Sequence, residues 1–267
     1  MSTPLEKIET AFEKGRPAFM PYFTLGYPDM ETSIDIVQAC AEAGADLMEL
    51  GIPFSDPLAD GPTIQHSTQV ALEQGVNAAS CLEAVRELRA RGIEIPFMLM
   101  GYYNPILTYG LAEFVGAAAE AGANGFIIPD LPPEEAQEML EHIEKHKLGI
   151  SFLLSPNSEP ERAKLVITAS RGFTYLVSVI GITGEREALS EQLNQFITRT
   201  RQLSDKPLAV GFGISTPEQV QAVGSAADGV IVGSALIKAA TDADDPVAAV
   251  SKMVGEMASA LNTAEKV

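Results

Sequence analysis

Asp46-Leu-Met-Glu-Leu-Gly-Ile52 runs directly into Pro53-Phe-Ser-Asp-Pro-Leu-Ala-Asp-Gly-Pro62. The first segment is a short apolar run and the second a loop punctuated by Pro and Gly, so a strand feeds a loop here. Alternation along the strand places Leu47 and Glu49 on one face and Met48 and Leu50 on the other. A carboxylate set among apolar neighbours at a strand end is costly to bury, so it has either a partner or a task. A Glu held by a buried Arg or by backbone donors is the structural alternative. The loop adds two further carboxylates, Asp56 and Asp60.

The same unit, a strand and then an amphipathic helix, recurs along the whole chain. Strands are expected at Ala18–Leu25, Asp46–Ile52, Pro96–Gly101, Gly125–Asp130, Ile150–Leu154, Phe173–Val179, Leu208–Phe212 and Gly229–Gly233. Helical patterns between them include Met30–Ala43, Ala79–Arg91, Leu111–Ala121, Pro133–His146, Glu159–Ala169, Leu189–Leu203, Thr216–Val223 and Val247–Leu261. Near-continuous Val, Ile, Leu and Met in the strands indicates a parallel sheet covered by helices. About eight such units in roughly 250 residues match a single-domain (β/α)8 TIM barrel. A doubly wound open sheet is the rival, though it more often has about five or six strands. A weak repeat, Ala41-Glu-Ala-Gly-Ala-Asp46, Ala119-Glu-Ala-Gly-Ala-Asn124 and Gly224-Ser-Ala-Ala-Asp228, closes three helices and introduces three strands. In its first two copies Gly is the expected left-handed helix stop. That end of each unit reads as the face that stabilises, and the loops after the strands as the face that functions.

Length and composition narrow the function classes. The 267 residues, 46% of them hydrophobic, suffice for a sizeable core, and the formal net charge of −18 argues against nucleic acid or an anionic membrane as partner. No apolar run approaches the ~18 residues of a membrane span, and the polar, mixed-charge Met1–Gly15 does not read as a signal peptide. Two cysteines, Cys40 and Cys81, form no disulfide framework and fall in helical patterns, as expected of small core residues in a cytoplasmic protein.

Acidity does not exclude a phosphorylated metabolite, because helix N-termini bind phosphate through backbone N–H groups. The loop after the sixth strand carries Gly181-Ile-Thr-Gly184. After the seventh and eighth come Gly211-Phe-Gly-Ile-Ser-Thr-Pro217 and Gly233-Ser-Ala235, each leading into a helix. Glycine lets the backbone approach a ligand, and in such barrels the last two loops commonly form a phosphate site.

Other chemistries find no support. His142 and His146 share one helix face without a third metal ligand, and His66 stands alone early in a helix. There is no Ser-His-Asp arrangement, no Lys at an expected strand end, and no nucleotide-binding glycine motif. Asp130, ending the fourth strand, reads as a turn or helix cap.

The run Glu49-Leu-Gly-Ile-Pro-Phe-Ser-Asp-Pro-Leu-Ala-Asp-Gly-Pro-Thr-Ile-Gln65 resembles the signature of tryptophan synthase alpha chains. Tyr22-Phe-Thr-Leu-Gly-Tyr-Pro-Asp29, Met100-Gly-Tyr-Tyr-Asn-Pro105, Gly181-Ile-Thr-Gly184 and Gly211-Phe-Gly-Ile-Ser215 follow in that family's order, so the likeness spans nearly the whole chain. The resemblance implies a (β/α)8 barrel that cleaves indole-3-glycerol phosphate to indole and glyceraldehyde 3-phosphate in tryptophan biosynthesis. It implies no cofactor in this chain and a pyridoxal-phosphate beta chain as partner, in an alpha2beta2 heterotetramer that channels the indole. It assigns acid–base work to Glu49 and stabilisation of the ring nitrogen's positive charge to Asp60. Gly184, Phe212, Gly213, Gly233 and Ser234 fall at the phosphate, and Tyr22, Ile64, Met100 and Tyr175 around the indole. Asp56 is a candidate intersubunit charge or a solvated loop residue. The Asp60 carboxylate can accept from the Thr183 hydroxyl only if their loops approach, so a coupled lid is expected. A stand-alone lyase releasing free indole, or a barrel kept as activator of a beta chain, remain as alternatives; retention of both carboxylates speaks against the second.

Overall fold

A computed structural model describes residues 2–178, 186–211 and 213–262. Nine short strands are linked only in parallel: β1 (Ala18–Thr24), β2 (Met48–Gly51), β3 (Phe97–Met100), β4 (Gly125–Ile127), β5 (Gly149–Ser151), β6 (Leu153–Leu154), β7 (Thr174–Val177), β8 (Leu208–Gly211) and β9 (Gly229–Val232). Their order is β5-β4-β3-β2-β1-β9-β8-β7-β6. The two ends of that order, β5 and β6, are separated by Phe152 alone, so the ring closes through one interrupted strand. The expected fifth strand is therefore split. Ile150 turns its backbone to Arg171, with N···O distances of 3.0 and 2.7 Å, and the Phe152 N–H goes to the Ser170 hydroxyl at 3.2 Å. Eight strand positions in a closed ring are the barrel expected from the repeat.

Alternation divides the apolar residues into two cores. Inward residues Met20, Tyr22, Leu47, Met98, Met100, Ile127, Phe173, Tyr175 and Ile231 fill the barrel. Outward residues such as Phe19, Phe23, Met48, Leu50, Phe97 and Phe126 pack beneath the surrounding helices. Two helices have no counterpart among the expected elements. Helix α1 (Pro4–Ala11) starts on a capping box, Thr3 with Glu6, and drives Ile8 into the bottom of the barrel. A Cβ on Gly149 would lie 2.5 Å from the Ile8 side chain, so glycine there makes room for the plug. Helix α5 (Tyr103–Tyr109) begins where Asp130 accepts the Tyr103 N–H at 2.9 Å, which gives Asp130 its cap role from outside the helix.

The repeat has a physical explanation. Asp46, Asn124 and Asp228 each accept the backbone N–H that opens a neighbouring strand segment, of Phe19 at 2.8 Å, Phe97 at 3.0 Å and Leu208 at 2.9 Å. Each also meets a cation: Asp46 is bonded by Arg16 and Lys14, Asn124 by Arg89, and Asp228 by Arg201. Gly44 and Gly122, in the first two copies, take φ of +110° and +99°, the stop conformation expected of them. The strand-entry end of the barrel is thus stitched by paired polar groups.

Candidate active site

Inside the barrel, β2 presents Glu49 between Tyr22 of β1 and Met98 of β3, both its partners in the strand register. Tyr22 and Met98 belong to the barrel core, so Glu49 points inward, as the alternation of Leu47 and Glu49 predicts. Its side chain is fully buried, and neither carboxylate oxygen has a hydrogen-bond partner among the described residues. The structural alternative, a Glu held by Arg or backbone donors, is therefore not what the fold builds. Burial pushes the Glu49 carboxyl well above the usual carboxylate range.

Asp60 lies in the loop between β2 and α3 (Pro62–Glu73). Its Oδ2 accepts from the Tyr102 hydroxyl at 3.0 Å, and that hydroxyl also accepts the Ala59 N–H at 3.0 Å. Phe54 packs on the Tyr102 ring at 5.4 Å. Burial raises the Asp60 pKa to about 6, while the Tyr102 bond pulls the other way. Asp60 is therefore mostly ionised at neutral pH, whereas burial favours the neutral form of Glu49. Burial above all, and then Asp60 and Glu49 themselves, keep the phenols of Tyr22 and Tyr175 protonated. The two carboxylates thus lie within electrostatic reach of both phenols. Ile64 and Met100, also expected at the site, pack in the same cluster as Tyr22 and Tyr175.

Two glycines shape the chamber. A Cβ on Gly51 would fall 2.2 Å from the Tyr22 hydroxyl, and one on Gly211 the same distance from the Tyr175 hydroxyl. Each tyrosine hydroxyl thus occupies space that only glycine at a strand end leaves open. Gly213 takes φ +77°, a left-handed value suited to glycine. Gly233 precedes α11 (Ser234–Asp242), whose first turn has no side-chain cap. Its leading N–H groups therefore face outward at the positive end of the helix dipole. Ser234 is exposed, as is Asp56, which accepts from Ser55 at 2.6 Å. Thr183, Gly184 and Phe212, and with them the expected lid contact, lie outside the described residues.

Tyr102 is the functional candidate that sequence reasoning passed over. It stands two residues after Met100 in a quoted motif, and strand alternation extended by one step places it on the same face. Other features agree with their bland readings. Cys40 and Cys81 are fully buried and burial pushes each thiol up to about 12, while His66 is exposed beside the Tyr27 ring. Among the described residues no cluster of metal-ligating side chains occurs, and no helix is long and apolar enough to cross a membrane.

Residues 8–265 match the family model for the tryptophan synthase alpha chain. The chain is 51% identical to the tryptophan synthase alpha chain of Chloroflexus aggregans over 84% of each sequence. It is 50% identical to that of Dehalococcoides mccartyi, covering 88% of this chain and 91% of the other. The crystal structure of tryptophan synthase subunit alpha from Legionella pneumophila superposes with a TM-score of 0.91 at 36% identity, over 98% of this chain and 99% of that one. A barrel with a buried Glu49 that has no partner among the described residues and a half-buried Asp60 in the loop that follows, matched over nearly its whole length, belongs to the tryptophan synthase alpha chain family.

Proposed function

We propose that Glu49 is the proton carrier and Asp60 the ring-nitrogen counter-charge in the retro-aldol cleavage of indole-3-glycerol phosphate. That cleavage, a lyase reaction in tryptophan biosynthesis yielding indole and glyceraldehyde 3-phosphate, is the reaction of the family to which the chain belongs. The observation that carries the assignment is the state of Glu49: fully buried, unpaired and shifted towards its neutral form. A neutral carboxyl can give its proton to C3 of the indole ring. The ring then carries positive charge at its nitrogen, where ionised Asp60 stabilises it. The bond from C3 to the side-chain carbinol carbon breaks, its electron pair restores the aromatic ring, and the carbinol hydroxyl returns a proton to the Glu49 carboxylate as the aldehyde forms. Glu49 begins and ends the cycle neutral, as its surroundings favour. The division of labour follows from environment: one carboxyl desolvated without a partner, the other steadied by Tyr102.

Tyr22, Ile64, Met100 and Tyr175 supply the apolar walls for the indole, and Gly213, Gly233 and Ser234, with Gly184 and Phe212, the phosphate cradle. Neither role calls for a metal or an organic cofactor in this chain. A cytoplasmic setting fits the pathway and the two free thiols.

The partner reading rests on the face around the site. Leu58, in the Asp60 loop, is 91% exposed, and Leu107 and Tyr109 on α5 are 50% and 39% exposed. Tyr109 also lines a cleft of about 330 Å3 with Phe54, Asn77, Ala78, Ala79, Asn104, Pro105 and Thr108. A beta chain docked there would cover the site's mouth and receive the indole directly, as an alpha2beta2 assembly requires. In yeast, the relative named tryptophan synthase is 45% identical over 90% of this chain, which matches only 34% of that longer protein.

The deciding test is indole release from indole-3-glycerol phosphate by the purified chain and by Glu49→Gln, each with and without a beta chain. Turnover by the wild type that rises with the beta chain, and is lost in Glu49→Gln under both conditions, supports the reading. Full turnover without stimulation would favour a stand-alone lyase.

A further inference from the structure

Tyr22 carries a hydroxyl whose direction is set by its neighbours. The Tyr22 hydroxyl lies 3.2 Å from Thr24 Oγ1, which lies 2.8 Å from Ser67 Oγ. Ser67 Oγ in turn donates to the Ile64 carbonyl at 2.9 Å. A carbonyl can only accept, so Ser67 has used its one proton and must accept from Thr24. Thr24 has then used its own, and must accept from Tyr22. Thr24 and Ser67 are completely buried, and Tyr22 is 5% exposed, so water does not compete for this row. The Tyr22 proton therefore points towards Thr24, and what the hydroxyl offers the chamber is an oxygen lone pair. Desolvation keeps the phenol protonated, so the row stays polarised in one direction.

That lone pair is well placed. Tyr22 is the register partner of Glu49, and its hydroxyl reaches over Gly51, the last residue before the chain leaves for the Asp60 loop. Of the two carboxylates, Asp60 acts on the phenol more strongly than Glu49 does. We propose that the Tyr22 oxygen is a second, fixed acceptor for the ring N–H of the substrate, beside Asp60, and makes the site selective for a donor at that ring position. The proposal rests on the reading that Asp60 faces the ring nitrogen. It assigns Tyr22 a polar task in addition to its apolar contact: a phenylalanine there would keep the wall and lose the acceptor.

The test is a pair of non-cleavable ligands, 3-(indol-3-yl)propyl phosphate and its benzofuran counterpart, in which ring oxygen replaces N–H. Dissociation constants are measured for the wild type, Tyr22→Phe, Thr24→Val and Asp60→Asn. Tyr22→Phe is expected to reduce the preference for the indole ligand about 5- to 10-fold, the scale of one hydrogen bond, and to leave benzofuran affinity within about twofold. Thr24→Val keeps the tyrosine ring but frees its proton to turn into the chamber, and should reduce the preference in the same direction. Equal weakening of both ligands by Tyr22→Phe would overturn the proposal, leaving the residue a packing role. So would an unchanged preference in Tyr22→Phe alongside a reduced one in Asp60→Asn, and the Asp60 reading would then stand alone. A preference lost in Tyr22→Phe but kept in Asp60→Asn would support the Tyr22 acceptor and refute the placement of Asp60.

Discussion

Asp46 and Glu49 are three residues apart, the first just before β2 and the second inside it, and are 2% and 0% exposed. Asp46 accepts the Phe19 N–H and pairs with Arg16 at 2.6 Å and Lys14 at 2.8 Å, whereas Glu49 meets no donor among the described residues. The first is a buried charge satisfied from every side, at the end of the barrel where strands begin. The second is a buried carboxyl left unsatisfied within the strand, facing the inside of the barrel. Burial alone therefore does not separate structure from function; satisfaction does. An unpaired buried carboxyl costs stability, and the proton transfer proposed for Glu49 gives a reason for the fold to carry that cost.

Glu49→Gln tests the contrast most severely. Turnover should fall by about 10² to 10⁴, the usual loss with a general acid–base group. Stability should move the other way. A carboxyl whose pKa is raised on folding contributes stability that is full below the ordinary range and is lost as pH rises above it. The glutamine has no such loss, so the variant should be more stable than wild type at pH 8, with the gap closing towards pH 4. Denaturant titrations at both pH values check this; a variant destabilised at pH 8 would show that Glu49 is structural after all.

Asp46→Ala should give the mirror result. It strands the Phe19 N–H and unpairs two cations, and because Arg16 and Lys14 are partly exposed the loss should be about 2–4 kcal/mol. Specific activity of the folded fraction should be unchanged. A large fall in kcat without loss of stability would erase the distinction between the two carboxylates.

Tyr102→Phe removes the bond that steadies Asp60. Since that bond lowers the Asp60 pKa, its loss should push the value above about 6 and move the acid limb of kcat/KM to higher pH. The loss should be about tenfold at pH 7, the scale of a hydrogen bond to a charged group, and smaller at pH 8.5. An unmoved acid limb would mean another group sets it.

The smallest effect is expected at Cys40 and Cys81, whose thiols are fully buried and pushed up to about 12. Native protein should resist a thiol-directed alkylating reagent, and both residues should label once urea unfolds the chain. Labelling of the native state by mass spectrometry would show that this part of the packing opens.

Much of this was legible in the sequence because it depends on periodicity. The strand positions, the inward direction of Glu49 and the glycine stops at Gly44 and Gly122 follow from alternation and from backbone conformations that few residues adopt. Helix α1 was missed although its capping box was readable, because only Ile8 and Ala11 of its residues are buried, too few for a clear period. The split between β5 and β6 had no local signal, since it arises when Ile150 pairs with Arg171 across the chain.

By itself, then, the sequence determined that Leu47 and Glu49 share a face, that Asp60 follows in a loop on the functional side, and that eight strand–helix units close a barrel. Those are consequences of short-range geometry. Only the tertiary structure decided that Asp46 would be answered and Glu49 would not, that Tyr102 would reach Asp60, and that Thr24 and Ser67 would turn the Tyr22 proton away from the chamber. The partners in those contacts stand as much as 43 residues apart along the chain. A hydrogen bond requires its atoms within about 3 Å, and over such separations only the packed fold brings them there.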